Sequence, residues 1–349
     1  MVEERSPESV LKEIDRGLLD LLNRRAKATL DKPGIADTVA TEDVILKSLL
    51  SSNQGPLNEV QVVTVFREIL SQCRGLAAPA SVSYLGPPAS FTHQAAYRRF
   101  GTNADLVPTD SISSVFKDVE SGRSQFGVVP VENSTEGAVT YTLDLLVNSS
   151  VQICAEVNLR INHCLLSNGT MDEIDLVYSH PQVFGQCREW LSDRIPNAEL
   201  KEVKSTAEAA QRAYNEGKAA IASRMASELY GLPIIQDAIE DNPSNSTRFL
   251  VLCQASPSPT GDDKTSICFA FKDRPGALYD ALHSFKTEDI NLTMIQSRPS
   301  KVRNWDYVFF MDMQGHVEDP HVSAALTELE EGCVFLRILG SYPLNDSVQ

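Results

Sequence analysis

Apolar positions follow three rhythms along this chain. Over residues 8–76, Leu11, Ile14, Leu18, Leu21 and Leu22 recur at spacings of three and four, which predicts one apolar stripe on a helix of about six turns. Pro33-Gly34 would end it. A shorter helix is expected around Ile45, Leu46, Leu49 and Leu50, and a third carries Leu57, Val60, Phe66, Ile69 and Leu70. Three narrow stripes enclose too little core for a unit of this size, so pairing with a second copy is expected.

From residue 82 to about 253, short apolar runs alternate with helical stretches, the mark of a parallel α/β architecture. The expected strands are 82–85, 126–131, 151–159, 176–178, 219–222 and 248–252. Two stretches repeat one plan of strand, Pro/Ser/His turn and helix, Tyr84 to Tyr97 and Val177 to Leu191. Residues 151–165 would cross from one lobe to the other and the strand at Arg248 would cross back, leaving a hinged cleft. Beyond a Pro/Ser/Gly-rich linker at 254–264, strands at 266–271, 291–298, 307–313 and 333–339 with two helices predict a ferredoxin-like β-α-β-β-α-β unit. The expected organisation is multidomain: an all-α unit over 1–78, a two-lobed α/β unit over 81–255 and an α+β unit over 264–345.

Candidate chemistry lies where the apolar runs stop. Phe126-Gly127-Val128-Val129 leads into Pro130-Val131-Glu132-Asn133-Ser134-Thr135-Glu136-Gly137. A buried strand ending in carboxylate, amide and hydroxyl groups sets donors and acceptors at a sheet's carboxyl edge, where open α/β sheets bind ligands. The same grammar recurs in Gly86-Pro87-Pro88-Ala89-Ser90-Phe91-Thr92-His93, Tyr178-Ser179-His180-Pro181-Gln182 and Asn245-Ser246-Thr247-Arg248-Phe249. Together they outline a hydroxyl-rich pocket for a small anion.

With 47 acidic and 31 basic residues the formal charge is −16, which argues against a nucleic-acid partner and leaves anion binding to local cations. No apolar run approaches the roughly 20 residues of a membrane span, and Met1-Val2-Glu3-Glu4-Arg5 lacks a signal-peptide pattern, so a soluble cytoplasmic protein is expected. Seven cysteines without CxxC spacing read as reduced, buried small hydrophobes, and no metal site is expected.

On four ordered motifs, residues 82–253 resemble prephenate dehydratase: the Gly-Pro-x-x-Ser-Phe turn, Pro-Val-Glu-Asn-Ser, Ser-His-Pro-Gln and Thr-Arg-Phe. Residues 265–342 look like the amino-acid-binding ACT domain that follows it, and residues 8–76 look like the chorismate mutase domain of bifunctional members. The resemblance implies decarboxylative dehydration of prephenate to phenylpyruvate in phenylalanine biosynthesis. Aromatisation supplies the drive, so no cofactor is implied. Proton donation to the leaving oxygen and fixed donors in a dry pocket are the terms open to catalysis.

That resemblance places the essential hydroxyl at Thr247, as a hydrogen-bond donor to the leaving group, with a proton relay through water or His180. Asn133, Ser179 and Gln186 match polar positions of the family's cleft. Arg248 is expected to clamp a carboxylate with its planar fork, beside Glu132, Ser134 and Phe249. Ser90, Phe91 and Thr92 would offer a helix N-terminus to an anion, with Ser90 as cap. Plainer roles stand beside these: Glu132 as a strand-end ion pair, His93 and His180 as structural histidines, and Arg248 as a hinge partner of Glu132 or Asp241.

In the C-terminal unit the resemblance implies a phenylalanine site at a dimer interface. Gly276, Ala277 and Leu278 would form one side, after Asp273-Arg274-Pro275, and Ser297, Arg298 and Pro299 the other. Tyr279 replaces a smaller aliphatic residue and Gln296 the usual glutamate, which weakens recognition of an ammonium group. The mutase clamp is depleted: Arg25 and Lys32 persist, Thr41-Glu42 keeps only the acid of an Arg-Glu pair, and Glu8 falls where an arginine is needed, although Arg5 lies nearby. Cys73 and Ala77 replace a serine and a glutamine. A dimerising, mutase-like unit with weak or no mutase activity is expected, within a homodimer or higher homo-oligomer. Rival readings are a non-catalytic amino-acid or aromatic-acid sensor, a periplasmic solute-binding protein, and a bifunctional mutase–dehydratase.

Overall fold

The computed structural model describes residues 6–30, 35–76, 78–271, 274–299 and 307–344; Arg5, Lys32, Pro33, Gly34, Ala77 and Asp273 lie outside them. Three helices come first, α1 (Pro7–Leu30), α2 (Ile35–Ser52) and α3 (Glu59–Arg74). The stripe along α1 is present but uncovered: none of its residues is buried, and Leu11 is 60% exposed. A reciprocal cap starts α3, where Asn58 accepts from the Gln61 amide N–H and the Gln61 side chain accepts from Asn58 N–H. Arg74 of α3 pairs with Glu42 of α2 at 2.5 Å and ties the two helices together. Both dock on the following unit: Asp43 of α2 pairs with Arg99 at 2.8 Å, and from α3 Arg74 Nη2 and Ser71 Oγ donate to Phe100 O at 2.6 and 2.7 Å.

The next stretch forms a first sheet from β1 (Ala80–Leu85), β2 (Ala104–Thr109), β3 (Phe126–Asn133), β4 (Gly137–Ala138) and β5 (Gln152–Arg160), interleaved with α4 (Phe91–Phe100), α5 (Ile112–Glu120) and α6 (Thr140–Asn148). A second sheet follows from β6 (Cys164–Leu166), β7 (Leu176–Ser179), β8 (Glu199–Glu202), β9 (Ala219–Ala222) and β10 (Ile234–Gln236). Its helices are α7 (Pro181–Gln186), α8 (Arg188–Arg194), α9 (Thr206–Glu216) and α10 (Arg224–Tyr230). The chain then returns to the first sheet as β11 (Ser246–Cys253).

The strand orders are β2-β1-β3-β11-β5, with β4 on β3, and β10-β6-β9-β7-β8. Both sheets are mixed, within what was expected as a parallel α/β architecture. β11 runs antiparallel to β3 and β5, and β6 antiparallel to β9 and β10. A strand that arrives by crossing over from another sheet is free of the helical connection that forces parallel pairing. The edge strands β2 and β8 escaped the sequence pattern because they carry no unbroken apolar run. In β8, Glu-Leu-Lys-Glu is exposed throughout, the charged edge that discourages further pairing.

The C-terminal unit comprises β12 (Asp263–Phe271), α11 (Ala277–Thr287), β13 (Leu292–Pro299), β14 (Tyr307–Gln314), α12 (Pro320–Gly332) and β15 (Cys333–Pro343), with sheet order β13-β14-β12-β15. One face packs Ile267, Phe269 and Met311 against Phe285, Val322 and Leu326 of the helices. The other face shares a core with the first sheet, where Cys268, Phe310, Leu339 and Tyr342 join Val129, Leu143, Leu146 and Ile153. Gly340 permits that approach, since a Cβ there would fall 2.2 Å from Ile153 O.

Candidate active site

Strands β1 and β3 run parallel through their pairing, so the Gly86–Ser90 turn and the loop after Asn133 share one carboxyl edge. β11 runs the other way and brings its amino end to that edge, with Thr247 opposite Asn133. Asn133 Nδ2 donates to Thr247 Oγ1 at 2.8 Å, Asn245 Oδ1 at 2.9 Å and Ser246 O at 3.2 Å. Its Oδ1 accepts from the N–H groups of Thr135 and Glu136 at 2.9 and 3.0 Å, an Asx turn that closes at Gly137 with φ +80°, where glycine is favoured. Since Asn133 donates, Thr247 Oγ1 is the acceptor and keeps its own hydrogen. Among the described residues no acceptor takes that hydrogen, and the side chain is half-buried. Ser134 Oγ accepts from Ser246 N at 3.0 Å, whereas Glu132 is exposed.

The second sheet turns its own carboxyl edge toward the first. Ser223, after β9, donates to Ala89 O at 3.0 Å, and Ala89 sits in the second sheet's core beside Tyr178 and Ala222. Ser179, at the end of β7, is fully buried and gives its hydroxyl to Ile221 O at 2.8 Å, so it holds the strand end. His180 caps α7, its Nδ1 accepting from Gln182 N at 3.3 Å. Ser90 caps α4, accepting from His93 N at 3.2 Å, and Thr92 is buried in the first turn. His93 has a structural role: its ring stacks on Tyr84 at 4.7 Å, Nδ1 accepts from Ala89 N, and burial lowers its pKa. Burial, with Tyr230 nearby, pushes the Tyr84 hydroxyl up to about 12.

Gln186 meets a residue that the motifs did not reveal. Its Oε1 lies 2.8 Å from Nε2 of His163, a buried histidine in the crossover between β5 and β6. The only local signal was a histidine between two apolar runs, which carries no polar neighbours of the expected kind.

Arg248 does not clamp a carboxylate at this edge. Its Nε donates to Glu156 Oε2 at 2.7 Å, and Nη2 reaches Asp312 Oδ2 at 2.7 Å and the Tyr342 hydroxyl at 3.0 Å. Lys264 Nζ completes the knot, 2.8 Å from Glu156 Oε1. Burial alone would lower the Arg248 pKa, but Tyr342, Asp312 and Glu156 outweigh it and hold it above its ordinary value. Successive side chains on a strand leave by opposite faces, so the residue after Thr247 turns toward the C-terminal unit. Phe249 is core and not a substrate contact: it is buried among Tyr84, Phe126 and Val157. Arg298 faces α6, 3.1 Å from Asp144 and bonded to Thr140 O, so in this structure its guanidinium is engaged within the chain.

Of the remaining effector positions, Gly276, Leu278, Ser297 and Pro299 are exposed and Ala277 is half-buried. In the helical unit, burial raises the Glu42 pKa against the opposing pull of Arg74 and Arg99, and the ion pair with Arg74 occupies this acid. Arg25 Nη1 is buried without a hydrogen-bond partner.

Residues 82–257 match the prephenate dehydratase family, and residues 269–331 the ACT domain. The chain belongs to the prephenate dehydratase family. The bifunctional chorismate mutase/prephenate dehydratase of Stutzerimonas stutzeri is 43% identical over 345 residues, spanning 95% of this chain and 94% of that one. Among solved structures, the prephenate dehydratase of Arthrobacter aurescens in complex with L-Phe superposes with a TM-score of 0.71 at 32% identity, covering 76% of this chain and 90% of that one. GqqA, described as a novel type of quorum quenching acylase, superposes with a TM-score of 0.69 at 29% identity, covering 76% of this chain and 98% of that one. One fold therefore carries more than one chemistry, and within the prephenate dehydratase family the reaction is argued from the site. Among the described residues, no helix is long and apolar enough to cross a membrane.

Proposed function

We propose that this chain removes carbon dioxide and hydroxide from prephenate between the facing edges of its two catalytic sheets, Thr247 donating to the departing oxygen. The 2.8 Å Asn133–Thr247 hydrogen bond carries the reading, because it fixes the hydroxyl and leaves its hydrogen for a ligand. An alcohol cannot protonate a leaving hydroxide unaided, so the proton arrives through water or through His180, whose Nε2 bears the hydrogen when the ring is neutral. Gln186 and Ser134 supply further polar groups, and the amino end of α4 faces a carboxylate with backbone N–H groups.

In this reading the two sheets are the lobes of a periplasmic-binding-protein-like unit and the crossovers are its hinge, supported by the Ile161 N to Asn245 O bond at 2.9 Å that ties them together. The C-terminal unit is a ferredoxin-like ACT domain that takes phenylalanine as feedback effector. The ACT match, the L-Phe complex of the Arthrobacter relative and the core shared with the catalytic unit all support it. The helical unit dimerises, a second copy covering the α1 stripe, and has weak or no mutase activity because Glu42 is bound to Arg74.

Phenylpyruvate formation from prephenate by the purified chain, with and without phenylalanine, tests the reading. Turnover suppressed by phenylalanine is expected. A folded protein without turnover would favour the sensor reading, and efficient rearrangement of chorismate would restore the bifunctional one that the Stutzerimonas relative exemplifies.

A further inference from the structure

His163 is 1% exposed, yet only one of its ring nitrogens has a partner. Nε2 meets Gln186 Oε1 at 2.8 Å, while Nδ1 is buried without a hydrogen bond. An amide oxygen only accepts, so Nε2 carries the proton and Nδ1 is a bare lone pair. Burial lowers the pKa of this ring against the smaller opposing effects of Gln186 and Glu240, which keeps it neutral. Burying an unpartnered nitrogen is costlier than burying an apolar side chain of similar size, so packing alone gives no reason for an imidazole here.

Three contacts fix the ring and its backbone. Phe91, the first residue of α4, stands edge-on at 5.5 Å. His163 N donates to Glu240 Oε2 at 2.8 Å, and His163 O accepts from Ile239 N at 3.0 Å, both in the return crossover. Gln186 is held at its other end by Asp241 N, which donates to Gln186 O at 2.8 Å. With its side-chain oxygen engaged by His163, Gln186 has both amide hydrogens left, and among the described residues no acceptor takes them.

We propose that His163 is a positioning residue for the dehydration, donating from Nε2 so that Gln186 presents its NH2 group to the substrate; this rests on placing Gln186 in the substrate site. Misplacement of one such group costs up to ~100-fold. His163→Leu is therefore expected to lower kcat by roughly 10- to 100-fold with KM changed by less than about threefold. Gln186→Leu should show the same loss, and the double variant no further loss, since the two residues act as one unit. His163→Gln, whose amide nitrogen reaches the place of Nε2, should restore most of the turnover, and His163→Asn, whose nitrogen falls at Nδ1, should not.

Wild-type kcat in His163→Leu, multiplying losses in the double variant, or equal rescue by Asn and Gln would overturn the proposal. Should the Leu variant fail to fold by circular dichroism, the Gln and Asn variants decide alone. A Gln186→Leu enzyme with wild-type kcat would remove Gln186 from the site and the proposal with it. A loss in Gln186→Leu with none in His163→Leu would overturn only the role of His163.

Discussion

Thr247 and Arg248 are consecutive on β11 yet belong to different regions. Thr247 joins Asn133, Asn245 and Ser134 in a neutral, partly open cluster of amides and hydroxyls. Arg248 joins Glu156, Lys264, Asp312 and Tyr342 in a charged, buried knot. In the knot two cations face two carboxylates, and the charge is cancelled within the protein. In the cluster a donor is left over for a ligand. One step along a strand thus separates the proposed chemistry from assembly, and the C-terminal sheet is anchored to the residue next to the proposed donor.

The contrast can be broken most forcefully at the knot. Arg248→Met leaves Glu156 and Asp312 buried without their shared cation and should cost about 3–5 kcal/mol, read from the denaturant midpoint. A change under about 1 kcal/mol would mean that the knot holds nothing. On the other face, Thr247→Ala should lower kcat by about 10²–10³-fold while leaving the midpoint close to wild type. Equal damage to stability and turnover at both positions would erase the distinction.

Acid separates the histidine pair from the knot. Burial holds His93 and His163 below the ordinary 6.5, so the unfolded chain takes up protons at a pH where the fold does not. Stability should therefore fall as pH drops below about 6.5 toward the folded values, and His163→Gln should flatten that slope. The smallest expected effect is at Arg298→Ala. Losing the partly buried pair with Asp144 should cost roughly 0.2–1 kcal/mol in stability. It should still raise the phenylalanine concentration needed for half-inhibition, since it unties β13 from α6; an unchanged inhibition curve would show that this contact carries no part of the response.

Much of this could be read locally. Apolar runs marked most inner strands, and the polar clusters at their ends held Asn133, Thr247 and the capping Ser90; the role of Thr247 came from the family resemblance. Exposed edge strands such as β8 and β2 were missed because edge pairing needs no apolar run. Arg248 was misread for a different reason. Its residue type suits a carboxylate clamp, and nothing nearby in the chain shows that its partner carboxylates are Glu156, 92 positions away, and Asp312.

By itself the sequence determined the helices of the first unit, most apolar strands, where polar groups meet a sheet edge, and that α1 carries a stripe requiring a cover. Those are properties of spacing, and spacing is local. Only the tertiary structure decided that Arg248 ties sheets together, that Glu42 is occupied by Arg74, and that a crossover histidine holds Gln186. Hydrogen bonds and ion pairs depend on which group waits within about 3 Å, and folding sets that distance between residues far apart in the chain.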